Sequence, residues 1–169
     1  HWAKDSINYA LENNLIDLIG NEFKPNDKAT RYTVVKALGK FKKIDVEKYK
    51  GKSLKDVDAS SEESAYINWA IENGIIAGYE DNTFRGDREI TREEIARILN
   101  LFAEKFDIKV KNLEAPKFKD QNKISDWASK DVKEATEKGL LVGRDDGTFG
   151  PKDNLTRAEV AQMIVNMIK

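Results

Sequence analysis

Three threonine-arginine pairs recur along this chain: Thr30-Arg31, Thr91-Arg92 and Thr156-Arg157, spaced by 61 and 65 residues. Each stands just ahead of an apolar run with helical periodicity. The threonine is a natural helix start, its hydroxyl accepting from a backbone N–H of the first turn. The arginine needs another reason, because it falls near the positive end of the helix dipole, where acidic side chains are favoured. Free N–H donors, a dipole and a guanidinium together make a site for a carboxylate or a phosphate. Arg31, Arg92 and Arg157 are therefore candidate anion ligands; solvated surface or salt bridges between repeats are the structural alternative. The chain holds seven arginines, so nearly half of them sit in this one motif.

The elements that must position these residues repeat with them. Phe23, Phe84 and Phe149 each precede their threonine by seven residues. Upstream, "INYALENNLI", "INWAIENGII" and "VKEATEKGLL" align at nearly the same offsets, the first loop being one residue shorter. Such a period marks a repeat architecture. Each unit reads as helix, loop, helix. The first helix, with Ile67, Ala70 and Ile71 on one face in the second unit, ends at Asn14, Gly74 or Gly139, residues that tolerate a left-handed backbone. The loop carries turn residues, as in "GYEDNTF" and "GRDDGTF", and its Phe plugs the core. "TREE" and "TRAE" fit a capping box, which Thr33 breaks in the first unit. Behind the caps run apolar stripes: Val34, Ala37, Leu38, Phe41; Ile95, Ile98, Leu99, Phe102; Val160, Met163, Ile164, Met167. These stripes are core. One helix pair cannot bury enough surface alone, so three must share a core. The units are residues 1–45, 46–107 and 108–169, the last two with preceding linkers, together one structural unit. "KKIDVEKYKGKS" and "EKFDIKVKNLEAPK" read as charged, mostly polar surface linkers with room for a helical extension. The fold class is all-α.

Composition narrows the function. Of 169 residues 35% are charged, yet the net charge is −1, so no global field draws the chain to nucleic acid or to an anionic membrane. There is no cysteine, which excludes disulfides, thiolate metal sites and cysteine nucleophiles. No apolar run is long enough to span a bilayer. No signal peptide is recognisable, and the abrupt opening at His1-Trp2, inside what reads as a helix, suggests a fragment of a longer protein. The only histidine is residue 1, and no nucleophile motif, zinc helix or phosphate loop is present. "DDG" at residues 145–147 lacks the twelve-residue pattern and terminal glutamate of a calcium loop, so neither a metal nor a cofactor is expected.

The pattern resembles the S-layer homology family, whose repeats run F-x-D, W-A, an apolar helix, a G-I-I-x-G segment, a D-G-T-F loop and T-R-A-E. The third unit matches throughout: "FKD" (Phe118, Asp120), "WA" (Trp127, Ala128), "GLLVG", "DGTFGP" and "LTRAE". The second has "LKD" (Leu54, Asp56), "GIIAG", "DNTF" and "ITREE", with Glu62-Glu63 where Trp-Ala is the pattern. The first has "HWA", "NLIDL" and "ATRYT", with Leu18 in place of a glycine. The resemblance implies a three-lobed, pseudo-threefold helical bundle with grooves between lobes. It also implies a monomeric anchor at the bacterial cell surface, without enzymatic activity. Such modules bind secondary cell-wall polysaccharide non-covalently, typically through pyruvylated amino sugars. The carboxylate of a pyruvyl ketal suits Arg31, Arg92 and Arg157.

Other residues join the candidate carbohydrate site. Trp2 and Trp127 either stack on a sugar ring or seal the bundle. Asp56 and Asp120 either accept sugar hydroxyls or cap a turn. Gly78 and Gly143 read as turn residues that also permit close ligand approach. Trp69 lies on another helix face and reads as core. Ranked by completeness within one repeat, the third unit is strongest, so Arg157 should matter more than Arg31. The rank of Arg92 stays open because neighbouring repeats can complete a groove together. A helical scaffold for protein partners and a cell-wall glycan hydrolase with a carboxylate pair are the other function classes.

Overall fold

The computed structural model describes residues 1–51 and 54–168; Lys52 and Ser53, which end the first linker, and Lys169 lie outside the described residues. Among the described residues seven helices follow in order: α1 (Lys4–Glu12), α2 (Arg31–Phe41), α3 (Val46–Tyr49), α4 (Glu62–Glu72), α5 (Arg92–Lys105), α6 (Asp126–Glu137) and α7 (Arg157–Ile168). A 3-10 turn, Gln121–Lys123, precedes α6. Among the described residues there is no sheet, only isolated bridges, and the all-α expectation holds. The helical extension of the first linker is α3, packed on α4.

Local chemistry sets the helix ends. The Thr30 hydroxyl accepts from the N–H of Thr33, Thr91 from that of Glu94 and Thr156 from that of Glu159, at 3.1, 3.3 and 3.2 Å. The first unit's box is not broken. The Thr33 hydroxyl replaces the glutamate and accepts from the Thr30 N–H at 3.3 Å, being short but close enough to reach back. The chain leaves the first helices through left-handed residues Asn14, Gly74 and Gly139, at φ of 53°, 68° and 72°. Helix α1 begins at Lys4, so His1 and Trp2 lie ahead of it.

Packing departs from the order of the sequence. The first helix of each repeat lies against the second helix of the preceding repeat: α4 on α2, α6 on α5, and α1 on α7. These pairs cut across the sequence repeats and close a ring between the two ends of the chain. Inside the ring α2, α5 and α7 converge, with Val34, Leu38, Ile95, Leu99, Val160 and Ile164 facing one interior point. Phe84 and Phe149 are fully buried and Phe23 nearly so; each full burial contributes roughly 2–3 kcal/mol. Trp69 is core, as expected, stacked on Phe106 at 5.7 Å. The segments just before the caps meet as well: the Ala29 N–H donates to Leu155 O and the Leu155 N–H to Ile90 O, both at 2.8 Å.

Candidate functional site

The repeated arginine has a structural reason that the helix alone did not supply. Each guanidinium leaves its helix and enters the loop of the following repeat. Arg31 Nε donates to Phe84 O at 3.1 Å and Nη2 to Ala77 O at 2.8 Å. Arg92 Nε donates to Phe149 O at 2.7 Å and Nη2 to Val142 O at 2.9 Å. Arg157 Nε donates to Phe23 O at 2.9 Å, and its Nη2 donates to Asp17 O. Each guanidinium also lies over the ring of the same Phe, 4.6 to 5.1 Å from its centroid. All three arginines are buried, and burial lowers their pKa from the ordinary value.

The helix N-termini are not open to an anion. The first two N–H groups of α2 donate to Arg88 O and Gly86 O, those of α5 to Asp153 O and Pro151 O, and those of α7 to Asp27 O and Pro25 O. The third is taken by the capping threonine. Carbonyls of the next repeat's loop therefore occupy the donors that the sequence pattern offered to a ligand. What remains is the outer edge of the guanidinium, which in Arg92 is paired with Glu159.

That edge faces grooves assembled from all three repeats. One groove, of about 490 Å³, brings together Arg31 of the first repeat, Gly78 of the second and Trp127 of the third, floored by Glu94, Arg97 and Leu101 of α5. A second, of about 590 Å³, joins Arg92 of the second repeat, Gly143 of the third and Trp2 of the first, floored by Glu159, Gln162 and Asn166 of α7. Six of the nine candidate residues thus fall into two groups of matching composition. Trp2 and Trp127 are 67% and 59% exposed, so they do not seal the bundle. Gly78 and Gly143 have no positive φ, so no left-handed backbone calls for a glycine at either position. A Cβ at Gly143 would come within 2.4 Å of the Phe118 ring, so packing requires that glycine.

The third equivalent position, at Arg157, is different. Leu18 stands where Gly78 and Gly143 stand, and Glu62 where the tryptophans stand. Asp17 replaces Ala77 and Val142, and Lys36 and Lys40 of α2 replace the floor residues of the open grooves. Asp17 pairs with Lys36 and, at 2.7 Å, with Lys40, and Lys36 reaches Glu62 at 3.4 Å. The polar groups there are bound to one another.

Asp56 and Asp120 line neither groove. Asp56 accepts from the N–H groups of Phe84 and Arg85 at 2.8 and 2.7 Å, Asp120 from those of Phe149 and Gly150 at 2.8 and 2.9 Å. They fix the loop behind the plugging Phe, the turn-capping alternative. Burial pushes the Asp120 carboxyl up, but its two backbone donors outweigh that and hold it below the usual carboxylate range. In the "DDG" turn, Asp146 accepts from the Thr148 N–H and hydroxyl at 2.9 and 2.6 Å. Among the described residues no group of three or more His, Asp or Glu could hold a metal ion.

Sequence reasoning passed over Arg97, Gln162 and Asn166. Their signal was positional. Lys36, Arg97 and Gln162 each follow a motif arginine by five residues, and Lys40, Leu101 and Asn166 by nine; these are groove-facing positions of the second helices.

An all-helical repeat unit with two grooves, each rimmed by an exposed tryptophan and a buried arginine, has the makings of a binding module. The chain matches the S-layer homology domain over residues 1–31, 53–96 and 117–161, and it belongs to that family. Along its whole length it is 31% identical to an amylopullulanase of Thermoanaerobacterium thermosulfurigenes and 30% identical to the exoglucanase XynX of Acetivibrio thermocellus. It is also 31% identical to the S-layer protein sap of Bacillus anthracis. The chain spans 9%, 16% and 20% of those proteins. The family is a cell-surface, wall-associated one. Among the described residues no helix is long and apolar enough to cross a membrane.

Proposed function

We propose that this chain anchors its parent protein to the cell wall by binding an acidic secondary cell-wall polysaccharide, with pyruvylated amino sugars as the recognised units. The Arg31 groove carries the reading. Among the described residues Arg31 donates through Nε and Nη2 but not through Nη1, and the arginine lines a groove that also holds an exposed indole and a glycine. A pyruvyl carboxylate would complete the guanidinium, and the sugar ring would lie against Trp127. The arginine is already held by Phe84 O and Ala77 O, so little side-chain freedom is lost on binding. The cyclic contacts between repeats support a monomer with approximate threefold internal order. The test is co-sedimentation with native and depyruvylated cell-wall sacculi. Binding to native sacculi, lost on depyruvylation, is expected; equal binding to both would overturn the acidic-sugar assignment.

A further inference from the structure

The two open grooves share a plan but differ in charge, and one substitution explains the difference. In both, a capping glutamate stands beside the groove arginine. Glu94 lines the groove with Arg31 but pairs with Arg88 instead. Its carboxylate takes both Nη groups of Arg88, at 2.8 and 3.3 Å, in a fork-to-fork pair. Glu159 cannot do the same, because the residue equivalent to Arg88 is Asp153. Its Oε2 instead pairs with Nη1 of Arg92, the guanidinium edge that stays open in Arg31. Asp153 pairs with Arg144.

The linings follow suit. The Arg92 groove carries Arg92 and Arg144 against Asp145 and Glu159, two charges of each sign, with the amides of Gln162 and Asn166 on its floor. The Gln162 amide is already oriented, accepting from Ser6 Oγ at 2.7 Å and donating to Asn166 Oδ1 at 2.9 Å. The Arg31 groove carries Arg31 and Arg97 against Glu94 alone, and Glu94 is neutralised from behind by Arg88. An acidic group entering the Arg92 groove would meet Glu159 before it could use Arg92. In the Arg31 groove it would meet Arg31 and Arg97, the latter held only loosely by Asp131 at 3.8 Å.

We propose that the grooves recognise different units of the wall glycan: the Arg31 groove a carboxylate-bearing sugar, and the Arg92 groove an uncharged sugar held through its hydroxyl and amide groups. The inference rests on the glycan-binding reading above. It makes the module a two-point reader that spans unlike residues of one polysaccharide. Two linked contacts of modest strength give retention that neither has alone.

Each groove holds its own fluorophore, and Trp69 is buried as a constant background. W2F therefore reports the Arg31 groove through Trp127, and W127F reports the Arg92 groove through Trp2. Each is titrated with a pyruvylated amino-sugar disaccharide and with its depyruvylated counterpart. In W2F the acidic sugar is expected to bind roughly tenfold or more tightly than the neutral one, the scale of a charge-assisted contact, with the preference weakening in salt. In W127F the neutral sugar should bind at least as well. Two further changes should exchange the behaviours. R88A frees Glu94 to pair with Arg31 and should erase the preference in W2F. E159Q, which keeps the cap, frees Arg92 and should bring acidic preference to W127F. The same preference in both grooves would overturn the inference and leave the glycan reading intact. Silence of both tryptophans towards both sugars would overturn the glycan reading with it.

Discussion

Arg157 and Phe23 stand 134 residues apart, and the arginine Nε donates to the phenylalanine carbonyl at 2.9 Å. Through this bond the last repeat holds the first. The same strut joins Arg31 to Phe84 and Arg92 to Phe149. Each arginine is thus a structural member before it is a ligand. Arg157→Ala should lower stability by about 2 kcal/mol, because it strands buried carbonyls of the first loop. Arg157→Lys should restore only part, since an ammonium cannot serve both Phe23 O and Asp17 O in the planar geometry of the fork. Urea unfolding checks this; an unshifted midpoint for the alanine variant would remove the strut role.

Because helices pair across repeats, the unit should not be divisible. A chain ending at residue 117 loses α6 and α7 and leaves α5 and α1 without their partners. Arg92 loses both carbonyl acceptors. This truncation should show no cooperative thermal transition. A sharp, reversible one would mean that the first two repeats fold without the ring.

The sequence spoke clearly where a residue acts on its own element and faintly where it acts on another repeat. The caps at Thr30, Thr91 and Thr156, the left-handed ends at Asn14, Gly74 and Gly139, and the apolar stripes are short-range features, and all were legible. The pairing of α1 with α7 was not, since an apolar stripe does not name the stripe it meets. The resemblance implied grooves between lobes, but the same gap hid which residues share one. Arg31, Gly78 and Trp127 belong to three different repeats, so no motif within one repeat could show them meeting. Thr33 was misjudged because its role depends on reach, which the side-chain type alone underdetermines.

Acid should loosen the loops before it touches the core. The Asp120 carboxyl is held below its ordinary pKa by the Phe149 and Gly150 amides against the opposing effect of burial, and Asp56 likewise by those of Phe84 and Arg85. A carboxylate whose folded pKa is depressed adds stability that is complete above its unfolded value, about 3.9, and lost as pH falls through the folded one. Urea midpoints should therefore fall below about pH 4 from this cause. Asp120→Asn should be less stable at neutral pH and show a shallower acid slope. At neutral pH its folded form should bind wall glycan normally, because Asp120 faces the loop backbone and not a groove. Parallel acid curves for variant and parent would remove Asp120 from the account.

The order of the three arginines in binding follows from which residues share a groove. Completeness within a repeat favoured Arg157 over Arg31, because the third unit keeps Trp127, Gly143 and Glu159. The structure distributes those residues elsewhere: Trp127 serves Arg31, and Gly143 and Glu159 serve Arg92. Arg157 is left with Leu18 and Glu62, beside an Asp17 carboxylate already bound by Lys36 and Lys40. An acidic sugar there would have to displace ion pairs and would find no indole to lie on. Arg31→Ala should therefore weaken binding to native sacculi roughly tenfold or more, the scale of one charge-assisted contact, while Arg157→Ala leaves affinity nearly unchanged. Both variants lose an inter-repeat strut, so their stability losses should be similar and cannot produce that difference. Trp127→Ala should behave like Arg31→Ala, and the double variant should lose less than the sum, since both residues would contact one sugar. Binding isotherms at a temperature where circular dichroism shows every variant folded decide the order. A larger loss from Arg157→Ala than from Arg31→Ala would mean that the ion pairs around Asp17 open to admit ligand.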